Sequence, residues 1–325
     1  MIITRTPLRI SFAGGGTDLP SYYRNHGGGA VTSAAIDRYV HVLVNEKFDQ
    51  SIRIAYSRTE NVEKLDDLQH GLVREAMRRT GVTDSLEVHT IADIPGEGTG
   101  LGSSSSLTVG LLNALYAHRG VLRDPAELAE EACQIEIDDL HGTLGKQDQY
   151  IAAFGGLRHF EFRPDDTVRT TPIPLAAKER EAFSQHLSLF YTGLTRKAEG
   201  ILKGQDARTE VNLESLGAMR TLADRTRDAF LARDWAAVGS LLDEGWRLKR
   251  TLSSGITNEQ IDGIYDRAKA AGAWGGKITG AGGGGFLLIV HPPERHSQIA
   301  TALSPMRRLP VRITPEGSRI LFVGR

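Results

Sequence analysis

One cysteine, Cys133, occurs among the 325 residues, and a single thiol excludes any intramolecular disulfide framework. It falls in a helical pattern and reads as a small buried apolar residue. Neither charge is in excess: 39 basic and 40 acidic side chains leave a formal net charge of −1. That balance gives no global support to nucleic-acid binding, although it leaves room for a local basic pocket around a small anion. No apolar run approaches the ~20 residues that span a bilayer. The opening segment MIITRTPLRISFAGGG alternates like a strand and lacks the charged head and apolar run of a leader peptide. A cytoplasmic protein with neither membrane nor nucleic-acid partner is expected.

Familiar catalytic signatures are missing as well. The Gly-Lys pairs Gly145-Lys146 and Gly276-Lys277 lack the upstream glycine and downstream hydroxyl of GxxxxGK[ST]. The run GTGLGS ends in serine rather than completing GxGxxG, and it opens no βαβ unit. The serine run Ser103 to Ser106 does not fit the GxSxG elbow of a serine hydrolase.

What is present is enough to fold. Hydrophobic residues make up 40% and charged residues 24%, a balance that supports a packed core and excludes wholesale disorder. Alternating apolar patterns predict strands over 2–12, 39–45, 51–55, 85–92, 157–162 and 187–191. Helical spacing predicts helices over 68–79, from Leu107 through Leu115, and over 125–140, where Asp124 is the N-cap and Pro125 the first residue. Beyond about residue 211 helices are expected over 211–231, 235–252 and 258–271. Strands follow over 286–290, 311–314 and 319–323, with a helix near 294–303. The change of character near 165–185 predicts a boundary at 175/176, separating residues 1–175 from 176–325.

Three glycine-rich segments punctuate this pattern: FAGGGTD (Phe12 to Asp18), GEGTGLGSSSS (Gly96 to Ser106) and GKITGAGGGGF (Gly276 to Phe286). Glycine permits positive φ and lets a ligand approach the backbone, so adjacent N–H groups can converge on phosphate oxygens. The middle segment feeds directly into a helix, which adds the positive end of a helix dipole. Phosphoryl transfer also requires a hard cation on the donor phosphates and a group that positions and deprotonates the acceptor. Ser104 and Glu136 are candidate Mg²⁺ ligands, and Asp148, read as a loop residue, is a candidate base.

In order, spacing and the GLGSS core that follows Pro95, these segments resemble the motifs of the GHMP kinases, the family of galactokinases and of homoserine, mevalonate and phosphomevalonate kinases. The resemblance covers essentially the whole chain. It implies an α+β protein with an N-terminal domain like the second domain of ribosomal protein S5 and a ferredoxin-like C-terminal domain. It implies ATP on Gly98, Gly100, Leu101, Gly102, Ser103, Ser104 and Ser105, and Mg²⁺ on Ser104 and Glu136. Asp148 in GKQDQ would be the catalytic aspartate, with Arg9 near the reacting oxygen. The acceptor would lie against Gly16, Thr17, Asp18, Gly282 and Gly283.

Within the family the segments TPLRISFAGGGTDLPSYY, GKQDQYIAAFGG, YTGLTRKA and WRLKRTLSSGITNEQID resemble the members that phosphorylate the anomeric hydroxyl of a heptose 7-phosphate. A phosphorylated acceptor calls for cations, and Arg24, His26, Arg196 and Lys197 are the principal candidates, with Lys249 and Arg250 beside them. The alternatives are a kinase of another sugar, fucose among them, and a catalytically silent sugar and ATP sensor. Oligomeric state is left open.

Overall fold

Pro7 lies inside the first long strand, Ile2–Ala13, and marks the place where that strand changes register. In the computed structural model, which describes residues 1–95, 98–195 and 198–324, Thr6 faces Val40 and Pro7 faces Tyr39, but Leu8 faces Ile36. Proline has no N–H for the ladder, so the bulge falls there. Beyond it the strand is buried continuously from Leu8 to Ala13, and Arg9 is carried into the interior.

The partner strand, Gly29–Glu46, is long enough to serve two neighbours on its other edge. Gly29–Ala34 pairs with Leu157–Phe162, and Val40–Glu46 pairs with Leu86–Ala92. Only its second half was expected as a strand. The first half is rich in small residues buried on both faces, so it shows no alternation to read. Among the described residues the resulting sheet has eight strands, and one edge is the C-terminal strand Arg319–Val323, antiparallel to the start of the chain.

A second sheet has four antiparallel strands, in the spatial order Arg308–Leu309, Leu187–Tyr191, Phe286–Val290, Gly275–Ile278. Helices, chief among them Leu213–Ala232 and Trp235–Leu252, separate its first strand in the chain from its second, and His296–Ala302 separates the third from the fourth. This is the ferredoxin-like order that was expected.

The two halves share a core. Phe12 of the first sheet meets Phe230 edge-on at 4.9 Å and Phe183 at 5.9 Å, and Trp235 closes on Phe183 at 5.0 Å. A cut at 175/176 therefore does not describe the sheets: the first one includes residues 319–323, and the helix Leu213–Ala232 packs on it.

Three local expectations change. Asp148 stands in the first turn of a helix, Gln147–Phe154, rather than in a loop; the glycines on either side concealed that short helix. The expected helix over 125–140 begins as read, with Asp124 and Glu127 forming a reciprocal capping box. At Gln134 it widens into a π turn, Gln134–Asp139, a form common at functional sites. The expected strand over 311–314 is a single bridge between Ile36 and Ile313. Its backbone groups bond instead to Asp37, Ala35 and Gly156 beside the bulge.

The shared aromatic core makes a direct prediction. Phe230→Ala should lower stability by about 3–5 kcal/mol, with tryptophan fluorescence and far-UV circular dichroism still melting together. Two separated transitions, only one of them shifted, would contradict a common core.

Candidate active site

The three glycine segments converge on one cleft of about 740 Å³, a size suited to a small ligand. The middle loop is laid directly on the third. A side chain at Gly100 would put its Cβ 2.5 Å from the Thr279 carbonyl oxygen, and the Gly100 φ of +68° is left-handed. Thr279 Oγ1 donates to the Thr99 carbonyl at 3.0 Å, which ties the loops together. Gly102, also left-handed, caps the helix Ser103–His118 and points that helix's N-terminus into the cleft. Backbone N–H groups and the dipole there favour an anion.

Arg9 dominates the cleft floor. Its Nε and Nη2 donate to Asp148 Oδ1 and Oδ2 at 2.7 and 2.5 Å, and its Nη1 donates to the Gly100 carbonyl at 2.5 Å. The backbone N–H of Arg9 donates to the Leu101 carbonyl at 2.9 Å. This fork fixes the Asp148 carboxylate in one orientation. A Cβ at Gly102 would lie 3.3 Å from Asp148 Oδ2, so the absence of a side chain there keeps the carboxylate accessible.

Asp18 forms the opposite side. Its Oδ1 accepts from the Gly16 N–H at 2.8 Å, and its Oδ2 accepts from Gln147 Nε2 at 3.0 Å. Burial raises its pKa, and Asp148 adds to the rise, against the lowering effect of the Gly16 and Gln147 bonds. Around it, Ser11 Oγ, Gln147 Oε1 and Gln205 Nε2 are buried polar atoms without a hydrogen-bond partner among the described residues, and all three residues line the cleft.

Glu136 lies behind the loop rather than on the cleft surface. The π turn aims it inward, where Oε2 accepts from Ser105 Oγ at 2.8 Å and from Gln149 Nε2 at 2.9 Å. Its Oε1 has no partner among the described residues. Burial pushes the carboxyl up to about 7, with the neighbouring Asp148 charge contributing.

The other expected residues fall into three groups. Gly16, Gly98, Gly100, Gly102, Ser103, Ser104 and Gly282 line the cleft. Leu101, Ser105, Thr17 and Gly283 support it from behind: Leu101 is buried, Ser105 holds Glu136, Thr17 Oγ1 bonds the Gly14 and Ala30 carbonyls, and the Gly283 N–H bonds Ile256. Arg24 and His26 are not among the lining residues. Arg24 pairs with Asp166 at 2.8 Å and His26 with Glu210 at 3.1 Å. Those acids engage both side chains outside the cleft. Arg196 and Lys197 lie outside the described residues.

Two residues stand out that the reading of the chain passed over or left in the background, Lys277 and Lys249. Both line the cleft and both are buried. Their signal was positional. Lys249 continues the buried stripe Leu242, Trp246 of its helix, and Lys277 interrupts the otherwise apolar strand Gly275–Ile278. A lysine on an apolar stripe needs a reason.

Comparison with known proteins identifies the family. Residues 68–156 match the model of the GHMP kinases N terminal domain, and residues 226–306 that of the GHMP kinases C terminal. The chain is 31% identical, over 93% of its own length and 93% of the relative's, to a D-glycero-alpha-D-manno-heptose 7-phosphate kinase of Campylobacter jejuni. It is 29% identical over 88% of its length to an L-fucokinase/L-fucose-1-P guanylyltransferase of Bacteroides fragilis, of which the match spans 34%. The crystal structure of a D-glycero-D-manno-heptose 1-phosphate kinase from Bacteroides thetaiotaomicron superimposes with a TM-score of 0.83 at 26% identity, each chain covered in full. With its two-sheet fold, its paired glycine loops and a heptose phosphate kinase alike along nearly its whole length, this chain belongs to the GHMP kinase family.

Proposed function

We propose that the protein transfers the γ-phosphate of ATP to the anomeric hydroxyl of D-glycero-D-manno-heptose 7-phosphate. The product would be the 1,7-bisphosphate, on a cytoplasmic route to nucleotide-activated heptose for surface glycans. The observation that carries the reading is the placement of Asp148. Its carboxylate is locked by Arg9 between a phosphate-type loop on one side and Asp18 on the other. The relative from Campylobacter jejuni supports the choice of acceptor.

In this reading the nucleotide phosphates lie on the N–H groups of the loop from Gly98 and at the N-terminus of the helix Ser103–His118. Asp18 with Ser11, Gln147 and Gln205 holds the acceptor, since a hydroxyl-rich molecule can satisfy polar atoms that find no partner among the described residues. The acceptor hydroxyl gives its proton to Asp148 as its oxygen bonds to the γ-phosphorus and ADP departs. Arg9 keeps the carboxylate aimed and places positive charge near the developing negative charge.

The residues fit a magnesium ion. Glu136 Oε1 is a hard, buried oxygen without a hydrogen-bond partner among the described residues, and Ser104, the neighbour of the Ser105 that bonds Glu136, lines the cleft. These two would hold the ion, which when bound supplies charge neutralisation on the donor phosphates.

A kinase of an unphosphorylated sugar is the competing reading. It is favoured by the engagement of Arg24 and His26 outside the cleft and by the likeness to the fucokinase of Bacteroides fragilis. An ATP-consumption assay over heptose 7-phosphate, free heptose and fucose, with products followed by phosphorus NMR, separates the two. Heptose 7-phosphate should give the highest kcat/KM, and a free sugar that outperforms it removes the proposed acceptor. In the same assay Asp148→Asn should reduce kcat by about 10²- to 10⁴-fold with the KM for ATP little changed.

Glu136 gives a second test with two readouts. A carboxyl held near 7 against an ordinary 4.5 favours the protonated form in the folded chain. The stability this group contributes is full below the ordinary value and is lost as pH rises through about 7. Glu136→Gln should therefore melt above the wild type near pH ~8, and the gap should close toward pH ~5. The same variant should need about 10- to 100-fold more magnesium for half-maximal turnover. Unchanged magnesium dependence would remove Glu136 from the metal site.

A further inference from the structure

Two cations in the cleft stand outside the pairings described so far. Lys249, on the helix Trp235–Leu252, and Lys277, on the strand Gly275–Ile278, are each 7% exposed. Neither forms an ion pair among the described residues. Lys249 donates to the Gly280 carbonyl, and the Lys277 ammonium has no hydrogen-bond partner among those residues. Burial lowers Lys249 to about 8 with Arg9 adding to the effect, and Lys277 is pushed well down by burial, by Lys249 and by Arg9; the Asp18 and Asp148 charges across the cleft oppose the shift in both without reversing it.

A buried amine with no carboxylate in direct contact is costly to hold charged, and a methionine of similar length would fill the space more cheaply. Two such groups on one cavity make sense if an anion enters with its own charge. Their position narrows the choice. Lys249 holds the Gly280 carbonyl, and a Cβ at Gly280 would lie 2.6 Å from Gly100 Cα. Gly100 in turn accepts from Arg9, which holds Asp148. An unbroken set of contacts therefore leads from Lys249 to the carboxylate assigned as base.

We propose that Lys249 and Lys277 form a clamp for phosphate oxygens in the cleft shared with Arg9 and Asp148. The oxygens could come from the phosphoryl group in transfer or from the phosphate of the acceptor; proximity to Gly100 and Arg9 favours the first. The role in turnover rests on the kinase reading, whereas phosphate binding does not.

Lys277→Met and the double variant Lys249→Met/Lys277→Met are compared with the wild type in two assays. Inorganic pyrophosphate should raise the melting temperature of the wild type, and the double variant should lose that response. With sugar acceptors, kcat should fall by about 10²- to 10³-fold whether or not the acceptor carries a phosphate. The variants' own melting temperatures should equal or exceed the wild-type value, because a buried amine without a direct carboxylate partner has been replaced by an apolar side chain. A rise in KM confined to phosphorylated acceptors supports the clamp and assigns it to the acceptor's phosphate. Pyrophosphate response and turnover that both match the wild type overturn it, as does lost turnover that tracks a lowered melting temperature. A wild type that consumes no ATP with any acceptor, yet responds to pyrophosphate through these lysines, removes the kinase reading and leaves the clamp in place.

Discussion

A guanidinium that is always charged and nearly buried must find acceptors, and Arg9 finds them on two separate segments of chain. Its fork takes both oxygens of Asp148, its remaining nitrogen takes the Gly100 carbonyl, and its backbone takes Leu101. Satisfying one buried charge therefore fixes the distance between the first strand, the phosphate-type loop and the helix that begins at Gln147. The bulge at Pro7 matters for the same reason. It resets the register just before Leu8, near the point where the strand's alternating burial gives way to continuous burial.

The other two loops are organised by close approach rather than by charge. Gly100 against Thr279 and Gly280 leaves no room for side chains, so the nucleotide-type loop of one half is held by backbone from the other. Glu136 belongs to a layer behind these loops. A π turn aims it inward, and Ser105 and Gln149 hold one oxygen while the other has no hydrogen-bond partner among the described residues. The cleft thus combines a tightly satisfied pair, Arg9 with Asp148, and a rim of polar atoms left for a ligand.

Much of this was legible in the residue pattern because it depends on local signals. The capping box at Asp124, the strand over 286–290 and the helix over 235–252 follow from spacing and capping chemistry alone. The glycine segments marked the loops, and their order carried the family. What escaped depends on tertiary contact. The strand from Gly29 is buried on both faces and so lacks alternation. The partner of Glu136 is Ser105, which only the helix rotation decides. Arg24 and His26 looked like pocket cations until Asp166 and Glu210 were seen to hold them, while Lys277 was hidden in a strand too short to read.

The pairing of Ile2–Arg5 with Arg319–Val323 carries a consequence for how the protein is made. The sheet that holds Arg9 gains its edge strand only when the ribosome has delivered Arg319–Val323, long after Ile2–Arg5. Until then Ile2 to Arg5 present an open ladder of peptide groups. Pairings so distant in sequence also form slowly. Nascent chains of this protein should therefore be at their most adhesive in the interval when the cleft residues are already present but the strand Arg319–Val323 that seals their sheet is not.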